Sequence, residues 1–149
     1  MRSPETWVGY RRAERLALPE RLAPDSPKDY RPPGRPALNR WGLGGSWNVG
    51  GESAELLGDT GKIVYRFHSR DLHMVLGPAR TGGPVRFRVS LDGMAPRNNR
   101  GTDSASDGTG EIGEPRLYQL IRREGRVTDR TFEIEFLDTG VEAFSFTFG

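Results

Sequence analysis

The sequence predicts an all-β fold: a two-sheet antiparallel β-sandwich of jelly-roll type with an extended Pro-rich N-terminal strap. Three observations predict it. Side chains alternate with strand period in the runs Leu117–Gln119–Ile121, Phe132–Ile134–Phe136 and Phe144–Phe146–Phe148, and successive side chains of a strand point to opposite faces. The 20 Gly and 11 Pro make up about a fifth of the 149 residues, a density that favours turns over helices. Five of the seven Phe lie between Phe132 and Phe148, so the C-terminal strands supply much of the core.

The elements follow in order. Residues 1–40 hold seven of the eleven prolines. A helical turn or two is expected between Glu14 and Leu22, after which Pro24, Pro27, Pro32, Pro33 and Pro36 exclude regular helix and central strand. A disordered linker has the same composition, but Trp7, Tyr10 and Tyr30 favour an ordered strap anchored on the domain, which gives a boundary at residue 40 and a sandwich over 41–149. Trp41, Leu43, Trp47 and Val49 are separated by small residues, and glycine in a strand pattern marks a bulge or a close backbone approach. Ala54–Leu57 reads as a short strand, followed by a turn at Asp59-Thr60-Gly61.

Ile63, Tyr65 and Phe67 alternate with polar neighbours, as do Leu72, Met74 and Leu76, with a turn at Ser69-Arg70-Asp71 between them. Val85, Phe87, Val89 and Leu91 form the clearest strand. Residues 93–115 read as one long polar loop, and loops of that length are functional or mobile. Leu137-Asp138-Thr139-Gly140 reads as a hairpin between the last two strands. Seven or eight strands result, with no internal repeat.

Composition excludes several functions. With no cysteine, the chain forms no disulfide, thiolate nucleophile or cysteine-ligated zinc site. No apolar run is long enough for a membrane helix, and the N-terminus lacks the apolar region of a signal peptide. The net charge of +2 divides into +4 over residues 1–40 and −2 over the rest. A Pro-interrupted basic strap with interspersed acids is a poor nucleic-acid surface.

Three sets of side chains are candidates for a site. Asp103, Asp107, Gly108 and Glu114 match positions 1, 5, 6 and 12 of a calcium loop, but Ala105 stands at a ligating position and Gly110 where an apolar residue is usual. No cofactor is expected, unless calcium sits here in a degenerate or non-EF-hand site. His68 and His73, with Asp71 near, fall on one outward face by phase count and on adjacent strands, a set able to bind zinc; two ordinary histidines on a polar face explain the pattern equally well. Arg66, Arg86, Arg88, Glu133 and Glu135 share the polar face, either as cross-strand ion pairs or as a face for sugars or anions. Sugar rings stack on exposed aromatic faces, a role open to Trp41, Trp47 and Tyr118 unless they pack in the core. No Gly-x-Ser-x-Gly elbow is present, and no enzyme activity is expected.

Longer stretches carry a resemblance. They are Pro4–Tyr10 with Arg12-Ala13, Trp47 through Ala54, Tyr65–Pro78, Arg86–Gly93, Arg116–Arg122 and Arg130–Asp138. In order and spacing the chain resembles the C-terminal module of DipZ-type thioredoxin-like proteins. There the module follows a thioredoxin-like domain with a Cys-x-x-Cys pair, sometimes behind a membrane domain related to cytochrome c biogenesis proteins. The resemblance implies a β-sandwich similar to carbohydrate-binding modules and an extracytoplasmic location. The redox activity does not carry over, because the chain has neither that domain nor a cysteine; an excised fragment, a short gene product and a stand-alone module all fit. The family's loop similar to residues 101–114 is often more fully calcium-like than this one.

The expected function is a non-catalytic accessory module binding a carbohydrate or a cell-envelope partner through Trp47, Arg66, His68, His73, Arg86, Arg88 and Tyr118. The alternative is a structural module that docks a thioredoxin-like domain or a second copy of itself.

Overall fold

A computed structural model describes residues 2–18 and 21–149. Its described residues form eleven strands, all paired antiparallel: β1 Thr6–Trp7, β2 Pro27–Tyr30, β3 Trp41–Val49, β4 Ala54–Leu56, β5 Gly61–His68, β6 Asp71–Gly77, β7 Val85–Leu91, β8 Thr109–Ile112, β9 Arg116–Arg122, β10 Asp129–Phe136 and β11 Glu142–Phe148. Two layers result. The first sheet runs β8-β7-β10-β5 and ends on residues 41–44 of β3. The second runs from residues 45–49 of β3 through β4, β11 and β6 to β9, with β2 on the outer edge of β3 and β1 on β11 beside β4. The chain changes sheets inside β3 at Gly45, whose φ of 102° is open to glycine without strain.

Alternation built these strands as expected. Ile63, Tyr65, Phe67, Leu72, Met74, Leu76, Val85, Phe87, Val89, Phe132, Ile134 and Phe136 are fully buried. Aromatic rings join the layers: Tyr65 lies 4.8 Å from Phe146, and Phe132 meets Phe146 edge-on at 6.3 Å. Each such side chain contributes about 1.5–3 kcal/mol by leaving water.

Two β-bulges shift the phase where simple alternation misleads. One lies between Ala143 and Ser145 on β11. It turns Phe144 outward, leaving Ala143 and Phe146 in the core. The other offsets β6 and β9, so Tyr118, Leu120 and Ile121 are buried while Leu117 is 39% exposed. A bulge adds one residue, and one residue reverses every later side chain.

Consecutive strands from β5 to β7 and from β8 to β11 switch sheets. Leu137–Gly140 is therefore a crossover, not a hairpin: β10 pairs β5 and β7, whereas β11 pairs β4 and β6. The strap contributes strands of its own to the second sheet. It supplies β1 and β2, and Val8 and Tyr30 sit in the core. Pro32 and Pro33 pack on Gly44 and Gly42. The described part of the expected helical turn, residues 14–18 and 21–22, is not helical; Pro19 and Glu20 lie outside the described residues.

The long loop is ordered too. It holds a single 3-10 turn at Arg97–Asn99 and the strand β8. Val89 N–H donates to Gly108 at 2.8 Å, and Gly101 N–H donates to Leu120 at 2.9 Å. These bonds reach β7 in one sheet and β9 in the other, so the loop closes one flank of the sandwich.

Candidate functional site

The polar face of the first sheet neutralises itself. Arg86 donates two bonds to Asp138, both 2.9 Å. Together with the Arg86 backbone N–H, these hold the Asp138 carboxyl down at about 2. Arg66 donates to Thr131 Oγ1 at 2.9 Å and lies 3.9 Å from Asp92. Arg88 stands 3.9 Å from Glu135, its register partner. His68 Nδ1 is 2.7 Å from Asp129 Oδ1. The face is thus a set of paired charges, exposed to water and screened by it. A groove of ≈ 540 Å³ runs along it beside Arg35, Arg66, Ser90 and Glu133, with no aromatic side chain in its lining.

His73 does not join that face. It lies on β6 in the second sheet, whereas His68 lies on β5 in the first, because the chain crosses between sheets at Ser69-Arg70. Asp71 pairs with Arg70 at 3.1 Å. The expected His–His–carboxylate set is not assembled. Burial pushes the His73 imidazole below its usual value, and its Nδ1 is buried without a hydrogen-bond partner.

The expected aromatic platforms are core residues. Trp47 is fully buried, edge-on to Phe136, and donates Nε1–H to Gly44 at 2.9 Å. Trp41 is fully buried and donates Nε1–H to Glu14 at 2.7 Å. Tyr118 is 1% exposed, donates its hydroxyl to the Glu114 backbone carbonyl at 2.7 Å, and carries the Arg116 guanidinium 3.8 Å over its ring. None of the three offers a free face to a sugar, since their register turns them inward.

The calcium-loop carboxylates are engaged elsewhere. Asp103 receives Arg116 at 2.9 and 3.2 Å and the Gln119 N–H at 2.8 Å. The Arg116 bonds foremost hold the Asp103 carboxyl below its ordinary value. Asp107 accepts the Thr109 hydroxyl and N–H, a local turn bond. Glu114 faces Arg116 at 3.4 Å. Among the described residues no group of three metal-binding side chains converges.

A different set of residues comes together where the strap meets the sandwich. Tyr10 and Arg11 donate backbone N–H bonds to Gly50 and Gly51 at 2.9 and 3.1 Å, laying the strap along the turn after β3. Trp7 pairs with Ser145 in register and so points outward, beside the bulged Phe144. These two rings line a pocket of ≈ 390 Å³ together with Arg11, Arg12 and Glu52. Arg12 lies 4.7 Å from the Trp7 ring centre, a cation–π contact that orients the indole. Trp7 had been legible only as an anchor, and Phe144 only as core. Neither the pairing of β1 with β11 nor the bulge has a local signal.

The fold and this pocket define a class: a two-sheet β module with an aromatic-lined surface pocket and no thiol chemistry. The sequence matches the family described as thioredoxin-like C-terminal domain over residues 3–149, and the chain belongs to that family. No curated protein matches it.

Proposed function

We propose that the chain is a non-catalytic accessory module of a thioredoxin-like protein of the DipZ type, and that it holds a cell-envelope saccharide between Trp7 and Phe144. One observation carries this reading. Trp41 and Trp47 are fully buried, and Trp7 alone of the three indoles is not; it lines a pocket that also holds charged, planar hydrogen-bonding groups. A pyranose presents an apolar C–H face and a rim of hydroxyls. A ring flanked by Arg and Glu meets both requirements. The aromatic and polar roles expected of Trp47, Tyr118 and the first sheet thus pass to Trp7, Phe144, Arg11 and Glu52. The reading goes with an extracytoplasmic location.

The test is a glycan titration followed by tryptophan fluorescence, with wild type beside Trp7→Ala. The reading expects a saturable change that Trp7→Ala abolishes while the circular dichroism spectrum is retained. A response that survives in Trp7→Ala, or no response across a broad glycan set, would overturn it.

A second reading has its own observation. On the outer face of the second sheet, His73 and Thr147 are register partners, and each has a buried polar atom without a partner; exposed Leu117 stands two residues along β9 from Gln119, the register partner of His73. A docked protein surface would satisfy them. Concentration-dependent mass, or binding to a separately supplied thioredoxin-like domain that is lost in Leu117→Asp, would favour docking.

A further inference from the structure

The pocket at Trp7 does not end at Glu52. Arg11, Gly51 and Glu52 also line a second cavity of ≈ 470 Å³, whose walls continue through Asp25, Asn48, Glu55 and Arg80. The Arg11 guanidinium lies across Gly51, where a Cβ would come within 2.8 Å of its Nε; glycine there leaves room for the guanidinium on the wall that the two cavities share. The first half is aromatic and the second is polar.

We infer that the cleft binds an oligosaccharide, one ring stacked at Trp7 and the next donating hydroxyl hydrogen bonds to Asn48, Asp25 and Glu55. The inference rests on the saccharide reading and names the ligand's length. Asn48 Oδ1 is buried and has no hydrogen-bond partner. A buried acceptor without a donor is costly in the free protein, and a ligand hydroxyl supplies the donor. Around it stand three carboxylates, of Asp25, Glu52 and Glu55, and two guanidiniums, of Arg11 and Arg80. A sugar hydroxyl both donates and accepts, so it satisfies carboxylate and guanidinium together, whereas a simple anion or cation satisfies only one kind. Asp25 is already oriented, because the Tyr10 hydroxyl donates to it at 2.7 Å. Arg80 reaches Glu142 at 3.4 Å, which steadies the far wall against the adjacent Glu55.

The experiment is calorimetric titration with β-1,4-linked N-acetylglucosamine and β-1,4-linked glucose oligomers of one to four rings. Wild type should bind the two- and three-ring oligomers at least about tenfold more tightly than the single ring. Asn48→Ala and Glu55→Gln should abolish that gain and leave single-ring affinity unchanged. The melting temperature of Asn48→Ala should not fall, since the amide oxygen makes no bond within the protein. Affinity independent of length, or a gain that survives in Asn48→Ala, would overturn the inference while leaving single-ring binding at Trp7 in place. Binding of no oligomer at any length would overturn both readings together.

Discussion

Asp103 and Arg116 form a two-pronged ion pair, Nη2 to Oδ1 at 2.9 Å and Nη1 to Oδ2 at 3.2 Å. The pair ties the closing loop to the first residue of β9 while the same guanidinium stacks on Tyr118. A carboxylate so engaged has little left for a cation. Removing it also strands the Gln119 N–H. Asp103→Ala should therefore cost about 1 kcal/mol, measured by urea denaturation, and millimolar calcium should leave the wild-type melting temperature unchanged. A calcium-induced rise that Asp103→Ala abolishes would restore the metal loop.

Trp47 and Trp7 should behave oppositely on truncation. Trp47→Ala empties a fully buried site against Phe136 and should cost about 3–5 kcal/mol. Trp7→Ala removes a partly exposed ring outside the core cluster and should cost about 1 kcal/mol or less, the cation–π contact being the main loss. Paired denaturation curves decide this. Equal costs would mean that Trp7 is also a core anchor.

Gly108 should tolerate no side chain. Its φ is 92°, and a Cβ would stand 2.1 Å from the Val89 carbonyl oxygen. Gly108→Ala should combine left-handed strain of roughly 1–2 kcal/mol with displacement of the loop from β7. Faster amide exchange at Val89, whose N–H bonds Gly108, should accompany a lower urea midpoint; an unchanged midpoint would contradict the ordered closure.

The acid limb of stability should carry a signature of Asp138. Its folded pKa is about 2 against an ordinary 3.8. A depressed carboxyl contributes stability that is present above its unfolded value and lost as pH falls through the folded one. The loss from Arg86–Asp138 should fall between about pH 4 and 2. Asp138→Asn should be less stable than wild type at pH 6, with the difference narrowing toward pH 2. A difference constant across that range would remove the assignment.

The strands were legible where one rule governs both chain and fold. Every second residue is apolar and buried throughout β7, at Ile63, Tyr65 and Phe67 in β5, and at Phe132, Ile134 and Phe136 in β10, because a half-buried strand requires it. The same rule failed at Phe144 and across 117–121, where bulges reversed the phase. The site was hardly legible at all. Asp103, Asp107 and Glu114 have calcium-loop spacing, yet Arg116 and Thr109 claim the first two. His68 and His73 lie five residues apart, yet a sheet crossover separates them.

The sequence by itself determined that this protein is an all-β module without thiol chemistry, with the aromatic core of its C-terminal strands largely in place. Those properties are local or compositional: side-chain period, turn residues, the absence of cysteine. Only the tertiary structure decided that the chain switches sheets at each step from β5 to β7 and from β8 to β11, that the strap becomes β1 and β2, and that Trp7 rather than Trp47 reaches the surface. Pairing partners and bulges depend on residues far apart in the chain. Trp7 and Ser145 meet across nearly its whole length, and no local pattern at either position encodes the other.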